Sequence, residues 1–208
     1  MLIVKSLKVF LLIALSVFLF ACQKEEIAWK KLAIKGRTPH LPAIYTVRFP
    51  SYWESLPPGF DEELSDTTLP IHRFIIDEDI IVTIHNFPLE PDSPRIPPMA
   101  QLDRWKKQFT VLNESFNSPI SQSGLVGHHL KAWGLINDQP TTVFGWAFQL
   151  AHEHYIRSTW YLNSWMNEVR GDVTIKVTGP TKKMEKIQEE LSCFAASFEF
   201  VDDLPMPY

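Results

Sequence analysis

The fold class is decided by residues 171–180, which read GDVTIKVTGP. Val173, Ile175 and Val177 alternate with polar residues, and this pattern predicts a β-strand with one apolar face and one solvated face. Such a strand is typical of an antiparallel sheet, because the strands of parallel sheets are usually buried on both faces. The strand is expected to end at the Gly-Pro pair, since proline has no N–H to donate to a neighbouring strand.

An amphipathic helix is predicted directly after this strand. Apolar residues recur there at spacings of three and four, and charged residues occupy the opposite face. Cys193 lies in the same helical pattern and is expected to be a small buried hydrophobic side chain rather than a nucleophile. The predicted apolar stripe consists of Met184, Ile187, Leu191, Phe194 and Phe198.

Further strands and one more helix are predicted upstream of this segment. A helix is expected over residues 99–112, after a proline-rich crossover at 88–98 and before a polar loop at 113–123. With strands grouped around two helical segments, the chain is predicted to be an α+β protein in which helices pack on an antiparallel sheet. The predicted strands are residues 45–49, 71–76, 80–87, 125–133, 142–150 and 155–162.

Several residues within this order of elements form a recognisable pattern. Phe49-Pro50 ends the first strand, Trp53 follows it, Trp105 lies in the first helix, and the last helix runs into residues 196–200, which read ASFEF. Together with the strand at 171–180, this pattern resembles the PsbP/Mog-like family over residues 44–201. The resemblance implies an α/β/α sandwich around an antiparallel sheet. The family includes extrinsic photosystem II subunits, a Ran-binding protein and many bacterial lipoproteins, most of which bind or stabilise and do not catalyse. The resemblance therefore favours a binding protein over an enzyme and carries over no site residues.

The N-terminus has the pattern of a secretion signal. Lys5 and Lys8 precede an uncharged apolar run at residues 9–20, which is too short to span a bilayer comfortably. Residues 19–22, which read LFAC, resemble the lipobox of bacterial lipoproteins, in which a small residue precedes the lipidated cysteine. Cys22 is therefore predicted to carry a diacylglycerol thioether and an N-linked acyl chain such as palmitate, and to hold the protein on a membrane.

This anchor gives the predicted domain organisation. Residues 1–21 are a signal peptide, 22–43 the lipidated N-terminus and a tether, 44–201 the PsbP/Mog-like domain, and 202–208 a C-terminal tail. The protein is expected on the periplasmic face of a bacterial membrane. Because Gln23 stands where an aspartate commonly retains lipoproteins in the inner membrane, the outer membrane is favoured.

The charge balance argues against nucleic acid as a partner. The full chain has a net charge of −4, and removal of residues 1–21 removes Lys5 and Lys8 but no acidic residue. Proteins that bind nucleic acid or anionic membranes by charge need basic patches. The expected partners are the membrane, reached through the lipid anchor, and an envelope protein.

Two histidines form the best candidate for metal chemistry. His152 and His154 are two residues apart, and on a strand they would lie on the same face at a spacing that suits zinc or copper. A polar turn between two strands explains the same residues without a metal. Third ligands are available in His72, His85, His128 and His129, although the last two are adjacent and should point to opposite faces.

Aromatic residues form the best candidate for a binding surface. Most of the tryptophans are expected to fill the core between helices and sheet. Trp53, Trp165 and Met166 are predicted to lie in loops, where binding residues concentrate, and are the predicted ligand contacts. The aromatic residues near the predicted sheet are Trp53, Trp133, Trp146, Tyr155, Trp160, Tyr161 and Trp165.

The sequence therefore predicts a lipid-anchored periplasmic binding or accessory protein of the cell envelope. It is expected to be non-catalytic and to hold no cofactor besides the covalent lipid on Cys22. The alternative is a metal-binding protein or metal-dependent enzyme that uses His152 and His154.

Overall fold

The computed structural model of the chain describes residues 27–37, 41–58, 66–88, 95–153 and 171–201. Over these residues the chain forms ten strands and three helices. The helices are α1 (Pro98–Lys106), α2 (Thr181–Lys186) and α3 (Gln188–Ala196). The strands are β1 (Trp29–Lys35), β2 (Ala43–Pro50), β3 (Glu54–Leu56), β4 (His72–Asp77), β5 (Ile80–Pro88), β6 (Val111–Gln122), β7 (Leu125–Ile136), β8 (Gln139–Leu150), β9 (Gly171–Pro180) and β10 (Glu199–Phe200).

The described strands form two antiparallel sheets. The large sheet has the order β3-β4-β5-β9-β8-β7-β6, and the small sheet has the order β1-β2-β10. Strand β9, which carries the GDVTIKVTGP sequence, lies at the centre of the large sheet between β5 and β8. The predicted α+β class with an antiparallel sheet is therefore confirmed.

The large sheet buries side chains on both faces. One face, called here the main core face, packs against α2, α3 and the small sheet, where Phe194 and Phe198 are fully buried. The other face, called here the α1 face, packs against α1 through a smaller cluster around Leu102 and Trp105. Burial of each such large apolar side chain contributes about 1.5–3 kcal/mol, so both faces contribute to stability.

The predicted hairpin at residues 71–87 is confirmed as β4 and β5. Its acidic tip is bound to the last helical segment: Lys183 Nζ on α2 lies 2.6 Å from Asp77 Oδ2 and 2.9 Å from Asp79 Oδ2. Hydrogen bonds to these two carboxylates raise the pKa of Lys183 above its ordinary value. The tip thus joins the hairpin to α2.

The tether predicted over residues 22–43 is wrong for its middle part, because residues 29–35 form β1. This strand pairs with β2 along its whole length, from Trp29 opposite Pro50 to Lys35 opposite Ala43. It is an edge strand, and most of its side chains are exposed. Its polar composition therefore reflects an exposed strand edge and not an unfolded linker.

The segment around residues 106–123 also differs from the prediction. The first helix ends at Lys106 and not at residue 112, since Val111 and Leu112 already belong to β6. The polar loop predicted over 113–123 is wrong, because β6 continues to Gln122 and pairs with β7. β6 lies at the edge of the large sheet and exposes residues on both faces, so it lacks the alternating pattern of a half-buried strand.

The last helix is interrupted but keeps its predicted apolar stripe. Ile187 has φ −109° and ψ 8° and separates α2 from α3. Met184, Leu191 and Phe194 are buried as predicted. Cys193, expected to be buried, is exposed, because its neighbour Phe194 occupies the core-facing position of that turn.

Other predicted elements lie outside the described residues. These are the signal peptide with Cys22, most of the crossover at 88–98, the strand at 155–162 and the tail at 202–208. In the described part of the chain, no helix is both long and apolar enough to cross a bilayer.

Candidate functional site

A cleft of about 540 Å³ lies between α1 and the part of the large sheet beside it. Its floor is formed by β5 and β9, where Thr83 pairs with Lys176 and His85 pairs with Thr174. Residues paired across antiparallel strands point to the same face, so these four side chains project together into the cleft. The size lies within the range of ligand pockets in proteins, about 300–1,000 Å³. The other lining residues are Thr67, Thr68, Phe87, Ile96, Gln101, Arg104, Trp105 and Gln108.

The position of α1 explains why this space is open. Pro98 starts the helix, a place where proline's missing N–H costs nothing. Leu102 and Trp105 then pack on β7 and β8. Gly145 on β8 lies directly beneath the Trp105 ring, so closely that a Cβ atom there would overlap it. Because α1 rests on β7 and β8, the surface of β5 and β9 next to it forms the floor of a cleft.

The cleft is positively charged. Lys176 and Arg104 line it, and among the described lining residues none is Asp or Glu. Lys176 Nζ lies 2.6 Å from the neutral Gln108 Oε1, to which it donates a hydrogen bond. Burial lowers the pKa of Lys176 below that of a free lysine, as expected when a charge is removed from water without a counter-ion. Within the described part of the chain, neither Lys176 nor Arg104 forms an ion pair.

The pKa of His85 is affected by the same positive charges. Its Nε2 lies 3.1 Å from the carbonyl oxygen of Thr68, and because a carbonyl only accepts, Nε2 carries the proton. Burial is the main cause that lowers the pKa of His85. The positive charges of Arg37, Arg73 and Lys176 lower it further, although the Thr68 bond opposes them. His85 is therefore neutral at pH 7 and offers Nδ1 as an acceptor.

The rim of the cleft is fixed by a buried arginine. Arg37 donates to the carbonyl oxygens of Asp66 (2.8 Å), Thr67 (3.2 Å) and Leu69 (2.9 Å). A fourth bond, from Nε to the carbonyl of Asn86 on β5, is 2.8 Å long. Arg37 thus holds the loop that carries Thr67 and Thr68 against the sheet. Such multiple bonding satisfies a guanidinium that is only 4% exposed.

A second arginine fixes the entry to α1. Arg95 Nε donates to Asp172 Oδ2 at 3.1 Å, and a second nitrogen bonds to the other carboxylate oxygen. That nitrogen also donates to the carbonyl of Leu150 at 2.9 Å. Gln149 Nε2 donates to the carbonyl of Ile96 at 3.0 Å. These bonds attach the segment before α1 to the ends of β8 and β9.

Of the predicted ligand contacts, only Trp53 lies within the described residues. Trp53 is wrong as an exposed ligand contact, because it is 3% exposed and packs against Phe74 and Phe194. Trp165 and Met166 lie outside the described residues. Trp146 belongs to the core, as expected for most of the tryptophans, and Trp133 is half-buried beside Phe116.

Of the two histidines predicted to bind a metal ion, the structure describes only His152. His152 is exposed and lies in a short helical stretch after β8, not on a strand, while His154 lies outside the described residues. Among the candidate third ligands, His72 contacts Ser55 Oγ at 2.9 Å and His85 lines the cleft. In the described ranges, no group of three or more potential ligands is placed to hold a metal ion. A site built on His152 and His154 stays a prediction.

The adjacent histidines point to opposite faces, as predicted. His128 pairs with Ala147, which belongs to the cluster under α1. His129 instead contacts the Trp146 ring, at 5.0 Å between centroids, on the main core face. The two rings therefore cannot share one metal ion.

Comparisons with known proteins identify the fold. No family model and no curated protein matches the sequence. The solution structure of cyanobacterial PsbP (CyanoP) from Synechocystis sp. PCC 6803 aligns with a TM-score of 0.50 and 13% identity, over 86% of this chain and 96% of that one. The crystal structure of LpqN, a protein involved in cell envelope biogenesis of Mycobacterium tuberculosis, aligns with a TM-score of 0.52 and 12% identity, over 84% of this chain and 92% of that one. The PsbP-like fold predicted from the sequence is thus confirmed.

Proposed function

We propose that the chain is a lipid-anchored binding protein of the bacterial cell envelope, which holds a ligand in the cleft beside α1 and does not catalyse a reaction. The observation that carries this proposal is the cleft itself. It combines hydroxyl and amide groups, two cationic side chains and an apolar wall. A mainly concave surface with a few converging polar groups is the usual form of a small-molecule site.

The rigidity of the cleft supports a binding role. Its floor is the centre of a continuous sheet, and its rim and the entry to α1 are fixed by Arg37 and Arg95. A preformed site binds with a smaller loss of conformational entropy than one that must order on binding. The arrangement therefore suits a protein whose function is to hold a ligand.

The envelope location rests on the N-terminal sequence. The lipobox-like residues 19–22 support acylation of Cys22, which would hold the domain on the periplasmic face of a membrane. The outer membrane is favoured because Gln23 replaces the aspartate of inner-membrane lipoproteins. LpqN, which shares the fold, is involved in cell envelope biogenesis, and this agrees with an envelope accessory role. An envelope protein as partner is part of the same proposal.

The proposal is tested by filling the cleft. Thr83 is half-buried on the floor, so Thr83→Trp should occupy the ligand space, whereas Thr110→Trp adds the same side chain at an exposed site outside it. The full chain and both variants are isolated from bacterial membranes and analysed by native mass spectrometry. A bound small molecule present in the wild type and in Thr110→Trp, but lost in Thr83→Trp, is the expected result. Equal ligand occupancy in all three would place binding elsewhere and overturn the proposal.

A further inference from the structure

We infer that the ligand of this cleft is an organic anion, whose carboxylate or phosphate group is met by Arg104 and Lys176. The inference rests on the proposed binding function and names the chemical class of its ligand. The anionic group would lie over β9 and the C-terminal part of α1, which carry these two cations.

The charge of the cleft favours an anion, because none of the described residues that line the cleft is acidic. Lys176 is half-buried and bonds to the neutral Gln108. Asp66, at the rim, already accepts bonds from the Thr68 backbone and hydroxyl at 2.8 Å and 2.6 Å and does not line the cleft. A half-buried cation that has no counter-ion among the described residues is less stable than a paired one, so a bound anion would supply the missing attraction.

The remaining lining favours an anion with an apolar part. Phe87, Ile96 and Trp105 provide an apolar wall beside the cations. Thr83 and Thr174 provide hydroxyl groups on the floor, next to Lys176. A bare inorganic ion would leave the apolar wall uncovered, whereas an anion attached to a hydrocarbon or ring would contact both parts.

The test uses hexyl phosphate as the probe, with hexanol as its uncharged counterpart. Binding to the full chain in a non-ionic detergent is measured by isothermal titration calorimetry. We expect hexyl phosphate to bind at least tenfold more tightly than hexanol. Lys176→Gln and Arg104→Gln should each weaken hexyl phosphate binding by at least fivefold. Lys107→Gln and Lys182→Gln, which remove exposed charges outside the cleft, should change it less than twofold.

A second measurement separates loss of binding from loss of folding. Because Lys176 is partly desolvated and has no counter-ion in the part of the chain that the structure describes, Lys176→Gln should leave the melting temperature of the unliganded protein unchanged or raise it. If Lys176→Gln melts lower and also binds less, the exposed Arg104 decides: weaker binding of Arg104→Gln at an unchanged melting temperature supports the inference, and unchanged binding of Arg104→Gln overturns it. If both variants bind hexyl phosphate as the wild type does, the inference is overturned.

The outcomes distinguish this inference from the proposed function. Equal binding of hexanol and hexyl phosphate, abolished by Thr83→Trp, would keep the cleft as a binding site and overturn the anionic ligand. Absence of binding of both probes, together with equal ligand occupancy in Thr83→Trp, would overturn both.

The source of the anion is resolved by competition. Displacement of bound hexyl phosphate by dioctanoyl phosphatidylglycerol, but not by the phosphatidylcholine analogue, would support a lipid headgroup as the ligand. Displacement by hexanoate or glycerol phosphate, but not by the lipid, would support a soluble organic anion. If no anionic competitor displaces the probe, the inference fails.

Discussion

Asp172 is the residue on which several elements converge. Its carboxylate accepts two bonds from Arg95 and one, at 3.1 Å, from the backbone N–H of Leu150. The carboxylate is largely buried, so Asp172→Asn replaces a charged acceptor of these bonds with a neutral amide in a site with little access to water. We expect Asp172→Asn to lower the free energy of unfolding by about 2–4 kcal/mol, measured by urea denaturation.

A matched control is the exposed pair between Lys31 and Glu199. Its nitrogen–oxygen distance is 3.5 Å, and both side chains are at least half exposed. Lys31→Gln should change the unfolding free energy by about 0–1 kcal/mol, because water and salt screen exposed pairs. Similar losses for Lys31→Gln and Asp172→Asn would contradict the role assigned to the buried pair.

His72 should make the stability dependent on pH. Burial lowers the pKa of His72 to about 4 in the folded protein. In the unfolded chain the imidazole takes up its proton near pH 6.5, so between these two pH values the folded protein keeps His72 neutral while the unfolded chain is protonated. The unfolded state then binds more protons between about pH 6.5 and pH 4, and stability falls as the pH is lowered through this window. For one proton the slope reaches about 1.4 kcal/mol per pH unit.

His72→Gln tests this dependence by urea denaturation at pH 7, 5.5 and 4.5. The variant should lose the contact with Ser55 and be less stable at pH 7, but the difference from wild type should shrink as the pH falls. Burial also lowers the pKa of His85 and His129, so both proteins keep a residual dependence in the same direction. Parallel pH profiles of the two proteins would exclude His72 as a cause.

At the scale of elements, the close contact between α1 and β8 requires glycine, which has no side chain, at position 145. A Cβ atom at Gly145 would overlap the Trp105 ring, which also lines the cleft. Gly145→Ala should therefore displace α1 and destabilise the fold by about 1–3 kcal/mol, as overpacking does in other cores. Urea denaturation gives the stability, and a shift of tryptophan fluorescence reports the displaced ring.

The double variant Gly145→Ala/Trp105→Leu checks the assignment. With the smaller leucine side chain, the added methyl group has space, so the two stability losses should not add. A purely additive result would show that the alanine acts through another neighbour.

Elements whose side chains are half-buried were predictable from the sequence, whereas edge strands were not. β4 and β5 were predicted from apolar, β-branched runs, and β9 from the alternation of Val173, Ile175 and Val177, because each strand packs apolar side chains on the main core. β6 and β1 contact the core weakly and are held by pairing with β7 and β2. Backbone hydrogen bonds do not require apolar side chains, so the sequences of β6 and β1 lack a clear hydrophobic pattern. The sequence of β6 therefore resembled a loop, and that of β1 resembled a tether.

The candidate site was not predictable for a related reason. Thr174 and Lys176 lie on the face of β9 that the alternating pattern assigns to solvent, yet Thr174 is 6% exposed. The cover comes from α1 and from the loop that carries Thr67 and Thr68, which are distant in sequence. Polar residues that face water and polar residues that face a partly covered cleft have the same period, so only the tertiary arrangement distinguishes them.

At the scale of the whole molecule, the two faces of the large sheet differ in how fully they are covered. The main core face is closed by α2, α3 and the small sheet, and it contains most of the buried apolar side chains. The α1 face is covered by a single helix, beside which the cleft stays open. Stability is therefore concentrated on one face, and the other is free to carry a polar, charged site.

The proposed location of the molecule depends on acylation of the Cys22 thiol. If Cys22 is acylated, the mature protein should partition with membranes and resist extraction by high salt, because acyl chains and not surface charges hold it there. Cys22→Ser removes the acceptor thiol and should yield a soluble periplasmic protein or an uncleaved precursor. Fractionation with mass spectrometry of the mature N-terminus measures both outcomes, and Gln23→Asp tests which membrane is chosen. Normal cleavage and unchanged membrane retention of Cys22→Ser would show that the anchor lies elsewhere in the chain.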